Sequence, residues 1–343
     1  AYDLPFAKLS RLPDTSNAEA AKPGIAPVSG AVAWIIPWQQ MHAPALLQKL
    51  LDAEARVRVA TKAFSMGGGS DQVSFTAGSL VLLSGIQEPE KAGAVIELLQ
   101  RAATDGMDIH SFNTQLSTSG PGLGTSHYKP VPAIKPLLIV SEGTRSYDAG
   151  EAWFQLDQNL GVAPVMVEPS RLKSVNLYDY THLLMVNGRY TNIGKQLQKR
   201  ITEWIDSGGI LVAVQGAATW SESLCFSSKE CEDEKTPETA DSSQPQDMPY
   251  GDFDDQRAQR TIGGAIVQAV LDPSHPIAFG YNKEAPIFRR GATLLKSSDN
   301  PFATPVRYSQ EPLLSGYIGE QRLSEMAGQP AVIAERHGKG LVV

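Results

Sequence analysis

DYTHLLMVNGRYTNIGKQLQKRITEWIDSGGILVAVQGAATWSESL, residues 179–224, announces its elements in order. Asp179–Val186 is an apolar strand that stops at Asn187-Gly188. Ile193, Leu197, Ile201, Trp204 and Ile205 then recur at helical spacing and make one apolar stripe. Ser207-Gly208-Gly209 ends that helix, glycine being the residue that tolerates a left-handed cap. Ile210–Val214 is the next strand, and Gln215-Gly216-Ala217-Ala218 a sharp turn into another helix. A turn of this kind can hold a Ser or Cys nucleophile out beside the backbone N–H groups of the helix that follows. Gln215 stands at that place, and an amide exchanges hydrogen bonds but does not attack. Cys225 comes about ten residues later, too far along the helix to substitute.

Working upstream, Leu137–Val140 reads as a buried strand, 150–159 as a helix and Val162–Val167 as a strand. Strand–helix–strand alternation predicts an α/β fold: a doubly wound, mostly parallel sheet with crossover helices on both faces. That domain is assigned 131–343, with later strand-like runs at 262–271, 292–295, 305–308, 313–318, 331–334 and 340–343 extending the sheet and wrapping its edge. A smaller α/β unit, 31–130, precedes it. Its strands are expected at 31–36, 56–60, 73–75 and 77–83, and its helices at 43–52 and from Pro89-Glu90 onward. Residues 1–30 form a lead-in segment. Ser117–Gly124 is glycine-rich, but it follows no strand, opens no helix and has no Lys, so it reads as a linker or interface loop rather than a phosphate cradle.

Charge is concentrated rather than spread. Ten acids against two lysines make 229–255 an acidic insertion within a net charge of −7, leaving a near-neutral body. No basic stripe interleaved with aromatics points to nucleic acid, and no apolar run approaches the roughly 20 residues of a membrane span. The first residues, Ala-Tyr-Asp-Leu, carry no leader pattern, and the last read as the middle of a strand, so a piece of something longer is expected. Cys225 and Cys231 are the two cysteines; they either close a small disulfide loop at the neck of the acidic insertion or are unrelated thiols. The six histidines fall in no H-x-x-E, H-E-x-x-H or H-x-H pattern, so neither a metal site nor a cofactor is expected in this chain.

Ligands in open α/β sheets sit at the carboxyl ends of the strands. Gln215, Gly216, Glu142 and Glu151 are the candidate lining there, with Gln215 as a plain helix cap the alternative. His275, in Asp272-Pro273-Ser274-His275-Pro276, reads first as a turn residue. A hydrolase built on Glu151 and His275 would require both side chains to reach one reacting atom or a bridging water.

Residues 137–224 resemble the class I glutamine amidotransferase-like fold, with flavodoxin-like layers. The resemblance is carried by Tyr180–Met185, Asn187-Gly188, Trp204-Ile205-Asp206-Ser207-Gly208-Gly209 and Ala213-Val214-Gln215-Gly216-Ala217, and it departs at the nucleophile. Over nearly its whole length the chain resembles the region that follows the catalytic domain in large bacterial proteins of the zinc carboxypeptidase (carboxypeptidase A) family. The matching stretches are Ile35-Ile36-Pro37, Phe75–Ser79, Gly150–Trp153, Gly208–Ala213, Asp272–Tyr281, Leu314–Tyr317 and Gly338–Gly340. The resemblance implies a secreted or periplasmic parent peptidase, with zinc only in its upstream domain, since no position here matches the zinc ligands. This chain would then be a non-catalytic accessory region that packs on or gates that domain. A peptide or cell-wall fragment is the occupant expected for its cleft, and a stand-alone ligand-binding module is the alternative.

Overall fold

The computed structural model describes residues 22–224, 226, 249–252, 254, 259 and 261–343. Most of the lead-in segment, both cysteines and most of the acidic insertion lie outside the described residues, and with them the disulfide expectation.

The first sheet is antiparallel throughout. Its elements are β1 (Ala33–Ile36), α1 (Ala43–Asp52), β2 (Val57–Ala60), β3 (Phe64–Met66), β4 (Val73–Phe75), β5 (Leu80–Leu83), α2 (Ala92–Thr104), β6 (His110–Phe112) and β7 (Tyr128–Pro130). Strands β6-β1-β5-β2-β7 form the sheet, and β3-β4 a separate hairpin. Trp34, Ile36, Leu80 and Leu82 pack with α1 and α2, while Ala33, Ile35, Val81 and Leu83 pack with Phe64, Phe75 and Tyr128. Burial on both faces explains why these strands are apolar without alternation. Leu123 of the glycine-rich loop is buried in the second of these clusters, so that loop serves packing.

The second sheet holds all the parallel pairs. It uses β8 (Pro136–Ile139), α3 (Ser146–Phe154), which runs on into a wide π turn over Gln155–Leu160, β9 (Val165–Val167), β10 (His182–Met185), α4 (Lys195–Asp206), β11 (Ile210–Ala213) and α5 (Gly216–Ser221). A third sheet follows, from β12 (Ile262–Leu271), β13 (Glu284–Gly291), β14 (Val306–Gly316), α6 (Glu320–Met326) and β15 (Pro330–Val332). The chain then returns to the second sheet with β16 (Glu335–His337) and β17 (Gly340–Val342), giving the order β16-β17-β11-β10-β8-β9. The β16–β17 pairing is antiparallel.

The doubly wound, mostly parallel architecture expected from the sequence is therefore corrected. The protein is mixed α/β: among the described residues a five-stranded and a four-stranded antiparallel sheet and a two-stranded hairpin accompany one six-stranded mixed sheet. Two physical reasons underlie the difference. A continuous apolar run signals burial on two faces, not strand direction, and in β1 and β5 it belongs to antiparallel strands. Of the late strands only β17 extends the parallel sheet, beside β11; β12–β15 form a sheet of their own, in which β12 buries alternate residues from Ala265 on, the pattern of an antiparallel strand with one wet face. On the mixed sheet, Leu137, Ile139, Leu183, Met185 and Leu211 pack with Ile201, Trp204, Ile205 and Ala217. The opposite face, with Leu138 and Val186, is covered by α3 through Ala149 and Ala152. No helix among the described residues is long and apolar enough to cross a membrane.

Burial holds His110, His182 and His275 below the ordinary imidazole pKa. The unfolded chain takes up these protons near pH 6.5, whereas the fold resists them until lower pH. Stability is thus complete above about pH 6.5 and falls as pH drops through that value toward the folded pKa values. Melting temperatures measured between about pH 8 and pH 5 should decline on the acid side. His182→Gln, which keeps a partner for Thr181 Oγ1 (2.8 Å from Nδ1), should flatten part of the decline. A flat profile in the native chain would contradict the assignment.

Candidate functional site

The loops leaving β8, β10 and β11 meet at the carboxyl ends of the parallel strands. After β8 the backbone turns through three consecutive positive φ values, Ser141 (60°), Glu142 (23°) and Gly143 (88°). This loop is tied to the one after β10: Arg189 N–H donates to the Gly143 carbonyl (2.9 Å) and Arg145 N–H to the Asn187 carbonyl (2.9 Å). Asn187 also accepts from Gly216 N–H through Oδ1 (3.2 Å). A side chain at Gly216 would place Cβ 2.6 Å from the Gly188 carbonyl oxygen. Glycine is required there for the β10 and β11 loops to touch.

Gln215 sits at the apex with φ 53° and ψ −111°. That conformation is sparsely populated for any residue with a Cβ and costs on the order of 1–3 kcal/mol. The backbone takes a strained strand-to-helix turn although its apex residue is not a nucleophile. The side chain does not cap α5, and among the described residues its amide has no hydrogen-bond partner. Gln215→Gly should therefore relieve strain and lose little, raising stability by about 1 kcal/mol. A higher urea midpoint reads this out; a lower one would mean that the side chain outweighs the strain.

Beside Gln215 lies a cleft of about 290 Å³, lined by Asp148, Glu151 and Ala152 of α3, Val186, Val214, and Phe288, Arg289 and Arg290 of β13. Arg290 Nη2 donates to both Glu151 oxygens (3.1 and 2.9 Å) and to Asp148 Oδ1. Desolvation opposes the Arg290 cation, but Asp148 and Glu151 outweigh it and raise its pKa. The Asp148 side chain is 9% exposed, and its Oδ2 is buried without a hydrogen-bond partner among the described residues. Arg289 is buried and donates to the carbonyls of Arg290 and Thr293. Its Nε has no hydrogen-bond partner among the described residues. Tyr190, whose hydroxyl donates to the Val186 carbonyl, has its pKa pushed up by burial and by the charge of Asp148.

Of the residues expected at the strand ends, Gln215 and Glu151 line this cleft and Gly216 forms the floor of the elbow. Glu142 is directed elsewhere, accepting from Ser170 N–H (3.1 Å), Ser170 Oγ (2.8 Å) and Asn192 Nδ2 (3.4 Å). His275 is not brought to Glu151. Its Nδ1 accepts from Ile277 N–H (3.2 Å) within its own turn, and that turn docks on the first sheet, where Gly78 faces Phe279 and Gly280 faces Trp38. Asp148, Arg289 and Arg290 were missed. Asp148 looks like a first-turn helix acid, and Pro286 breaks the strand pattern of β13, although Ala285, Ile287 and Arg289 alternate on one face. Compared with the profiles of known protein families and with curated protein sequences, the chain matches none.

Proposed function

We propose that this chain is a non-catalytic accessory region of a secreted, zinc carboxypeptidase-like protein. It packs on or gates the peptidase domain, and its strand-end cleft serves binding rather than reaction. The observation that supports this most is Gln215: the strained elbow is kept, and its apex carries an amide that cannot form a covalent intermediate. The unengaged amide also favours a second role for the same cleft, as the seat of a small ligand or peptide.

Two measurements test the proposal. Native chain and Gln215→Ala are assayed on peptides with free C-termini and on glutamine, and neither should turn them over. Turnover that disappears with Gln215→Ala would overturn the non-catalytic role. The coding sequence preceding Ala1 should contain an H-x-x-E pair with a later His. A preceding sequence without them would remove the peptidase half of the proposal.

A further inference from the structure

We infer that the Asp148–Glu151 pocket beside Gln215 is a receptor for a primary ammonium group, and that Arg290 is its built-in, displaceable occupant. This rests on the cleft serving binding rather than reaction. Three carboxylate oxygens, Asp148 Oδ1 and both oxygens of Glu151, converge on the single nitrogen Nη2 of Arg290. A guanidinium Nη carries two hydrogens, whereas an ammonium carries three on one centre. Arg290 does not use its fork here, the geometry in which guanidinium pairs with carboxylate most strongly. One nitrogen at the focus of three oxygens is the arrangement an ammonium fills better.

Asp148 points the same way. Its carboxylate is nine-tenths buried on the cleft wall, and Oδ2 is left without a donor among the described residues. A carboxylate buried with one oxygen unsatisfied is incompletely compensated, so the two hydrogens of Nη2 leave this point short of donors, and the third hydrogen of an ammonium placed there would reduce the shortfall. The Glu151 side chain remains 65% exposed, which leaves a path from solvent. Arg290 lies near the end of β13, and its side chain is 29% exposed, so it can swing out to solvent. Gln215 lies on the same cleft wall with an unengaged amide, a donor and acceptor suited to the peptide group next to an amino terminus.

The ammonium can come from a peptide or amino-acid terminus or from a lysine side chain. Triglycine, N-acetyl-triglycine and Nα-acetyl-lysine amide separate these sources. Each is titrated calorimetrically into the native chain, Arg290→Ala, Arg290→Gln and Asp148→Asn, with circular dichroism melts confirming the fold and chromatography of each mixture checking for hydrolysis. Triglycine should bind Arg290→Ala and Arg290→Gln at least ten-fold more tightly than the native chain. Acetylation of triglycine should abolish binding, and Asp148→Asn should lose it. Stronger binding of the lysine amide than of triglycine would assign the site to side chains. If neither amine binds either Arg290 variant, or if the acetylated peptide binds equally well, Arg290 is only a structural latch and the inference falls, while the non-catalytic role stands. Hydrolysis of triglycine would overturn that role without touching amine recognition. Should both Arg290 variants unfold, binding of triglycine but not its acetylated form to the native chain decides the matter alone.

Discussion

Gly340→Ala is expected to disrupt the edge of the mixed sheet, with a loss on the order of 4 kcal/mol or more. A Cβ at this position would lie 2.0 Å from the Ile205 carbonyl oxygen and 2.3 Å from that of Gly209, and both obstacles are backbone. Neither can yield without moving β17 away from β11 or displacing the end of α4. β17 pairs with β11 through Ile210↔Leu341 and Leu211↔Val342, and Val343 accepts from Ala213 N–H (2.7 Å) one residue before Val214. The damage therefore runs up β11 toward Gln215. Urea denaturation followed by tryptophan fluorescence should show a large fall in midpoint; an unchanged midpoint would mean that the seam is much looser than this packing implies.

Trp204→Ala is expected to cost about 3–5 kcal/mol, the range for removing a large buried aromatic side chain. Trp204 is 2% exposed in the core beneath β10 and β11. Its indole lies so close to Gly209 that a Cβ there would be 2.3 Å from two ring atoms, and its N–H donates to the Tyr180 carbonyl (3.4 Å). The ring thus fixes where α4 ends and β11 begins. Trp204→Phe, which keeps an aromatic face against Gly209, should recover much of the stability. Equal losses for Ala and Phe would show that the indole N–H, not the packed ring, is the larger contribution.

Trp204 was visible in the sequence for local reasons, whereas Gly340 was read only as the start of a final strand-like run, because the carbonyl of Ile205 that crowds it is far away in the chain. The stripe through Trp204 and the Gly208-Gly209 stop are consequences of helix geometry, which a short window records. The element β12 was placed at Ile262–Leu271, where it forms, because Ala265–Leu271 is an apolar run broken only by Gln268. Strand direction is not local. Nothing within Ala33–Ile36 distinguishes an antiparallel partner from a parallel one, since both faces are covered in either case. The cleft was half legible for the same reason. Gln215 is marked by its place between strand and helix, but Arg290 reaches Asp148 across about 140 residues of chain, and no spacing rule links them. The register of β13, set by pairs such as Ile266↔Phe288 and Ala265↔Arg289, brings the arginine to the cleft.

The pairing of β11 with β17 also sets an order of events during synthesis. Ile210 leaves the ribosome roughly 130 residues before Leu341, its partner in the finished sheet, and chains grow at about 5–20 residues per second. For many seconds one flank of β11, with Leu211 destined for the core, has no neighbour while the whole third sheet is being made. The nascent protein must keep that open flank from pairing with another strand, so its yield in a cell should depend on chaperone capacity more than its final stability would suggest.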